Sequence, residues 1–141
     1  MKNVINLYVD IDGVLLTKKQ EIPKGAIEFI DFITNRYDCF WLTTHCREGE
    51  NKAIQYLEQF YAELEMDKLR KIKATNWRDL KTEGINFSID FIWLDDYPFE
   101  SELRVLEAND RKDNLIKVDL NQRNELERVM HELMLFEQVW K

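Results

Sequence analysis

The chain has 141 residues with 20 basic and 27 acidic side chains, which gives a formal net charge of −7. This length predicts one domain, residues 1–141, and the acidic balance argues against nucleic acid as a partner, because broad nucleic-acid binding depends on Lys and Arg at the phosphates. No apolar run reaches the roughly 18 residues that span a bilayer, so we expect no membrane segment. Cys39 lies in an apolar run, which favours a core residue over half of a disulfide and indicates a reducing, cytoplasmic location.

The first half of the chain predicts two strands and two helices. Residues 4–9 form the short, apolar, β-branched run of a buried strand. An exposed turn or hairpin follows at residues 15–22, and Pro23 can open a helix whose apolar side chains recur every three or four residues. A second strand is predicted at residues 38–42, and a long amphipathic helix from about Glu48 to Leu64.

The second half of the chain continues the alternation of helices and strands. A short helix is predicted from Trp77 to Thr82, strands at residues 91–94 and 115–118, and a last helix at about residues 122–137. Strands that alternate with helices form parallel sheets with helices on both faces. The predicted fold is therefore a three-layer α/β/α sandwich around a parallel, Rossmann-like sheet.

Polar side chains stand at the ends of three predicted strands, and these are Asp10, Asp12, Thr43, Thr44, Asp95 and Asp96. The ligand crevice of a parallel sheet lies beyond the carboxyl ends of its strands. Asp10 and Asp12 are two residues apart, so both can point to that crevice if the extended backbone continues. Four carboxylates in one pocket would repel each other. A divalent cation would remove this repulsion, and an all-oxygen ligand set suits Mg²⁺.

Four segments resemble, in family order, the motifs of the haloacid dehalogenase superfamily. "DIDGVLL" resembles the first motif, which is Asp-x-Asp-Gly-x followed by apolar residues. "CFWLTT" resembles the second, an apolar strand that ends in Ser or Thr, and "RDLKTEGI" resembles the third, a lysine on a helix. "FIWLDDYP" resembles the fourth, an apolar strand that ends in paired acids, and the four motifs together span residues 4–98.

This resemblance implies a catalytic role for four residues. Asp10 would be the nucleophile that attacks phosphorus and becomes an aspartyl phosphate. Asp12 would be the general acid for the leaving oxygen and then the base for the attacking water. Thr43 would hydrogen-bond a phosphoryl oxygen. Lys81, with Lys73 as the competing assignment, would neutralise charge on Asp10 and on the phosphoryl group.

The resemblance also implies a set of Mg²⁺ ligands. These are Asp10, the backbone carbonyl of Asp12, and the acid pair Asp95 and Asp96. Adjacent residues on a strand point to opposite sides, so one member of the pair should bind the metal directly and the other support Lys81 or a metal-bound water. Asp96 is the favoured direct ligand.

Residues just beyond the second strand are candidates for substrate binding. Thr44, His45 and Arg47 follow that strand toward the crevice, although an ordinary surface role for His45 and Arg47 stays open. Lys18 and Lys19 could guide an anionic substrate, but a solvated turn is the favoured interpretation.

The segments between the motifs leave no room for a separate cap domain. Residues 13–42 are used by a turn, a helix and a strand, and residues 44–80 by a helix and its connection. The chain thus resembles capless family members, which act on macromolecular phosphoesters, or on small ones when a neighbouring subunit closes the site. The predicted function is a Mg²⁺-dependent phosphomonoesterase acting on a phosphorylated substrate of unknown class, with an oligomer as one expectation. The alternative is a catalytically inactive domain of this fold that binds a phosphorylated ligand or a protein partner.

Overall fold

Four short strands form one parallel sheet in the computed structural model, which describes residues 5–139. The six strands of this region are β1 (Asn6–Val9), β2 (Asp38–Trp41), β3 (Cys46–Arg47), β4 (Glu50–Asn51), β5 (Phe91–Asp95) and β6 (Leu115–Lys117). The parallel sheet has the order β2-β1-β5-β6, and β3 and β4 form a separate antiparallel pair. All four predicted strands are therefore confirmed. Val4 and both ends of the predicted domain 1–141 lie outside the described residues.

Helices cover both faces of the sheet. They are α1 (Ala26–Arg36), α2 (Ala53–Leu57), α3 (Glu63–Leu69), α4 (Glu100–Ala108) and α5 (Glu125–Val139). Side chains alternate between the two faces of a strand, so Leu7 and Val9 pack in one apolar cluster with side chains of α1, α2, α3 and α5. Tyr8 packs in a second cluster with Leu106 of α4. The prediction of an α/β fold with a parallel sheet between helices is confirmed.

The long helix predicted from Glu48 to Leu64 is wrong. The first part of this segment is a tight hairpin, because Glu48 and Gly49 both have positive φ angles, of 52° and 80°. Two-residue hairpin loops favour positive φ at both central positions. The remainder is divided between α2 and α3, and the apolar pattern continues across the break because Leu57 and Tyr61 are both buried.

Other element bounds differ from the prediction in smaller ways. The first helix begins at Ala26 rather than at Pro23, and the helix expected from Trp77 to Thr82 is a 3₁₀ turn at Lys81–Gly84. Residues 15–22 form a turn, in which the Thr17 N–H donates to the Glu21 carbonyl. Helix α4 was not predicted at all.

Two further sequence expectations concern burial and membranes. Cys39 is buried, as predicted for a core residue. None of the helices between residues 5 and 139 is long and apolar enough to cross a membrane.

Candidate functional site

The candidate site lies where β1 and β5 run side by side. From β1 the chain passes to β2 on one side, and it later returns to β5 on the other side of β1. The carboxyl ends of the two strands at such a reversal form the crevice in which open α/β sheets bind ligands. Asp10 follows β1 directly, and Asp95 ends β5. The topology therefore explains why acids far apart in sequence lie close together.

Asp10, Asp95 and Asp96 form a three-carboxylate cluster. Each offers an oxygen, and these oxygens lie within 4.8 Å of one another. Asp10 and Asp95 are buried, and Asp96 is half-buried. Such a cluster could hold a metal ion, and its donors are all hard carboxylate oxygens.

Lys81 contacts two members of the cluster. Its Nζ lies 2.7 Å from Asp95 Oδ2 and 3.2 Å from Asp10 Oδ2. The backbone N–H of Lys81 donates to Glu102 Oε2 at 2.6 Å, which fixes the start of the 3₁₀ turn against α4. The competing Lys73 is exposed and lies over the ring of Phe40 instead. Lys81 is thus the lysine that the fold brings to the carboxylates.

The cluster carries more negative charge than Lys81 balances. Burial, together with the charge of Asp95, raises the pKa of Asp10 from 3.8 to about 7, despite the nearby ammonium. Burial and Asp95 also raise the pKa of Asp96. Burial alone would lower the pKa of Lys81, but the charges of Asp10 and Asp95 outweigh it and the pKa is raised. Lys81 therefore stays charged, while Asp10 and Asp96 keep their protons to a higher pH than an exposed carboxyl group does.

Asp12 lies apart from the cluster in a network of its own. The Tyr56 hydroxyl donates to Asp12 Oδ1 at 3.0 Å, and His45 Nε2 lies 2.9 Å from Asp12 Oδ2. The rings of His45 and Tyr56 are stacked, with centroids 3.9 Å apart. The hydrogen bond with His45 lowers the pKa of Asp12. Tyr56 was not predicted as a site residue, because it lies off the apolar stripe of the long helix that was expected there.

The remaining candidate residues are Thr43, Thr44 and Arg47, and they differ in burial and in the side chains that they contact. Thr43 is fully buried, and its hydroxyl oxygen accepts a hydrogen bond of 3.4 Å from the His45 N–H. Thr44 is exposed and lines the same cavity as Asp10. Arg47 lies over the Trp77 ring, 4.6 Å from its centroid, and donates to the Arg78 carbonyl. The contacts of Arg47 thus point away from the carboxylates.

An open cavity of about 510 Å³ lies over the carboxylates. It is lined by the acids Asp10, Asp12 and Asp96 and by Lys81, and also by Lys18, Gln20, Thr44, Tyr56, Tyr97 and Phe99. The turn at residues 15–22 reaches this cavity. Lys18 Nζ lies 3.4 Å from Asp96 Oδ2, and the Gln20 amide donates to the Tyr56 hydroxyl at 3.2 Å. Residues 18–22 of the turn are exposed, as predicted, whereas Leu15 and Leu16 are buried in the core. Two side chains of the turn contact site residues.

Gly13 allows Asp96 to approach the turn after β1. Its φ angle is +88°, a conformation that residues with a Cβ rarely adopt. A Cβ at Gly13 would lie 2.3 Å from Asp96 Cγ, far inside van der Waals contact. Gly13 is therefore required both for the backbone turn after Asp12 and for the position of Asp96, which follows the neighbouring strand β5.

Comparisons of the chain with protein-family models, curated proteins and solved structures found no match.

We expect Gly13→Ala to destabilise the fold more than Gly49→Ala. Both glycines have φ near +80°, so each alanine costs about 1–2 kcal/mol of backbone strain. Gly49 has no atom within 4 Å of the added Cβ, whereas Gly13 has Asp96. The clash should add about 1–3 kcal/mol to the loss for Gly13→Ala. Urea unfolding of both variants measures the difference, and equal losses would show that Asp96 does not depend on Gly13.

The raised pKa of Asp10 predicts a loss of stability with rising pH in metal-free protein. Between about pH 4 and pH 7 the native state holds a proton on Asp10 that the unfolded chain has released. The free energy of unfolding must then fall as pH rises through this range. Asp10→Asn removes the titration, so its free energy of unfolding should fall less over the same range.

The pH test consists of urea unfolding in chelator at several pH values. Asp90→Asn is the matched control. Asp90 is exposed and lies just before the first residue of β5, at the end of the strand that is remote from the carboxylates. The control should follow the wild-type pH profile. Parallel profiles for wild type and Asp10→Asn would contradict the raised pKa.

Proposed function

We propose that the protein is a Mg²⁺-dependent phosphomonoesterase that works through an aspartyl phosphate on Asp10. The order of the four motifs, which resembles that of the haloacid dehalogenase superfamily, supports this proposal. The parallel sheet with helices on both faces agrees with the Rossmann-like fold of that family. The substrate of such an enzyme is a phosphorylated compound. The segments between the motifs contain no counterpart of the cap domain that many family members have.

One observation carries the proposal, namely the contact of Lys81 with Asp10 beside two further carboxylates. A carboxylate oxygen is a useful nucleophile toward phosphorus only if the negative charges of both reactants are balanced. Lys81 supplies one positive charge at 3.2 Å from Asp10. Asp95 and Asp96 complete an all-oxygen donor set of the kind that Mg²⁺ prefers.

In the first step, an Asp10 oxygen forms a bond to phosphorus as the bond from phosphorus to the leaving oxygen breaks. Asp12 gives its proton to the leaving oxygen, which departs as an alcohol. In the second step, water attacks phosphorus, Asp12 takes a proton from that water, and the bond to Asp10 breaks to release inorganic phosphate. Lys81 stabilises negative charge on the phosphoryl group in both steps.

The Asp12 network holds the carboxylate at a fixed place and, by lowering its pKa, favours the ionised form that takes a proton from water in the second step. The proton that Asp12 gives in the first step must therefore be taken up when the negatively charged phosphoryl group binds, because a nearby negative charge raises the pKa of a carboxylate. His45 and Tyr56 hold both carboxylate oxygens of Asp12, at 2.9 Å and 3.0 Å. They therefore position Asp12 beside the cavity and away from the carboxylate cluster. Thr44, which lines the cavity, joins the buried Thr43 as a candidate to hydrogen-bond a phosphoryl oxygen.

The carboxylates that would hold Mg²⁺ are Asp10 and Asp96, with Asp95 beside them. Asp95 is the carboxylate that Lys81 holds more closely, at 2.7 Å against 3.2 Å for Asp10, and its other oxygen accepts the Tyr97 N–H at 2.9 Å. Asp10 also accepts the Ile11 N–H at 2.8 Å. Among residues 5–139, the only cation that contacts Asp96 is the exposed Lys18, whose Nζ lies 3.4 Å from Asp96 Oδ2. Bound Mg²⁺ would supply charge stabilisation for the transferring phosphoryl group.

The proposal predicts that Asp10→Asn folds but loses at least about a thousandfold in turnover, because an amide cannot attack phosphorus. A screen of phosphomonoesters with Mg²⁺ should identify a substrate for the wild-type protein, and Asp90→Asn should turn it over normally. Chelator should abolish the activity and Mg²⁺ should restore it. A folded Asp10→Asn protein with near wild-type turnover would reject the covalent mechanism.

Asp95 and Asp96 should differ in their effect on the metal. We expect Asp96→Asn to raise the Mg²⁺ concentration needed for half-maximal activity, and to weaken Mg²⁺ binding in calorimetry. Asp95→Asn removes a charge beside Lys81, so it should mainly lower maximal turnover. A larger loss of Mg²⁺ affinity in Asp95→Asn than in Asp96→Asn would reverse this assignment within the pair.

A further inference from the structure

Two aromatic side chains at the mouth of the cavity are exposed to solvent. Tyr97 is 69% exposed and Phe99 is 56% exposed. Among residues 5–139 they are the only aromatic side chains in the set of exposed large hydrophobic residues. Both line the cavity that contains Asp10 and Lys81. Exposed apolar surface beside a polar cavity is typical of a place where a ligand binds.

The backbone that carries these two rings is fixed relative to Lys81. Asp95 accepts the Tyr97 N–H through Oδ1 and contacts Lys81 Nζ through Oδ2. Glu102 accepts the Phe99 N–H at 2.8 Å through Oε1 and the Lys81 N–H through Oε2. Both carboxylates are buried. Asp95 therefore links the backbone of Tyr97 to Lys81, and Glu102 links the backbone of Phe99 to Lys81. Lys81 is also the residue that contacts Asp10.

A third ring and two polar groups complete the lining. Tyr56 lines the same cavity, and its ring already stacks on His45. Gln20 and Thr44 offer an amide and a hydroxyl group there. Small-molecule sites are commonly built in this way, with aromatic walls and a few polar groups that fix orientation. The volume of about 510 Å³ lies within the usual range for such sites.

We infer that the organic part of the substrate carries a planar ring that stacks on Tyr97 and Phe99. This inference rests on the proposed phosphatase function, in which the phosphoryl group lies at Asp10. Nucleobases and phenolic rings share the required chemistry, because both present a flat π-face to an aromatic side chain. A substrate with an aliphatic organic part would leave both rings in water.

The first test compares two substrates whose leaving oxygen is of the same kind. Adenosine 5′-monophosphate and ribose 5-phosphate both release a primary 5′ alcohol, and they differ in the base. The ratio of their kcat/KM values should be at least about fivefold in favour of the nucleotide. The double variant Tyr97→Ala/Phe99→Ala should bring this ratio close to one. Leu64→Ala, which removes a side chain that is also 69% exposed but lies on α3, should keep the wild-type ratio.

The second test measures binding without turnover, in the Asp10→Asn background. Calorimetry compares adenosine 5′-monophosphate with ribose 5-phosphate, and O-phosphotyrosine with O-phosphoserine. Binding at least about fivefold tighter for either ring-bearing compound, lost in the Tyr97→Ala/Phe99→Ala variant, supports the inference and identifies the kind of ring. Equal affinities within both pairs, or a preference that survives the double variant, would overturn it.

The two proposals fail separately. If the wild-type protein hydrolyses no phosphomonoester, the phosphatase proposal fails, and the binding test still decides whether a ring stacks on Tyr97 and Phe99. If the protein hydrolyses ribose 5-phosphate as well as the nucleotide and shows no ring preference in binding, the phosphatase proposal stands and the ring inference is wrong.

Discussion

The contact of Lys81 with Asp10 and Asp95 is the interaction on which the rest of the site depends. Two buried carboxylates at the ends of neighbouring strands would repel each other strongly without a cation between them. Lys81 lies within 3.2 Å of both and makes their burial tolerable. It does not contact Asp96, and the pKa values of both Asp10 and Asp96 are raised, first by burial and then by the charge of Asp95. An additional cation at this place would complete the balance.

Lys81 in turn depends on two buried acids that each connect separate parts of the chain. Asp95 links the Lys81 ammonium to the loop after β5, and Glu102 of α4 links the Lys81 backbone to the same loop. A buried carboxylate is stable only when its oxygens have partners. Because these partners are a lysine and backbone N–H groups, the requirement fixes the 3₁₀ turn, the loop and α4 in one arrangement.

The strands and their terminal acids were predictable because each depends on local sequence. A short apolar run that ends in acids, as at Phe91–Asp95, is typical of a buried strand whose end reaches the surface of the sheet. Lys81 was also identified, because one motif placed it on a helical turn. Its partner Glu102 could not be found, because α4 was missed and one carboxylate among many gives no signal that it is buried.

The failures in the middle of the chain have a common physical cause. Apolar spacing reports which side chains are buried, but not whether the backbone between them is continuous. Leu57 and Tyr61 are both buried although a break separates α2 from α3. The hairpin at Glu48 and Gly49 was missed although Gly49 is a poor helix former, because the flanking glutamates are common in helices. Tyr56, the partner of Asp12, lies in this segment. Tyr56 lies on α2, inside the segment that was predicted to be helical. It was missed because it lies off the apolar stripe, and a lone tyrosine gives no signal that it contacts an acid.

The size of the connections between strands determines how such a site can select a ligand. The turn at residues 15–22 and the loop after β5 are short, so they cover the carboxylates with single side chains rather than with a domain. Lys18 and Gln20 reach the site from one of them, and Tyr97 and Phe99 from the other. Binding energy from groups remote from the reacting atoms is what allows an enzyme to discriminate between substrates. In the proposed phosphatase that energy would come mainly from these exposed side chains, and their contributions can be measured one residue at a time because the core does not depend on them.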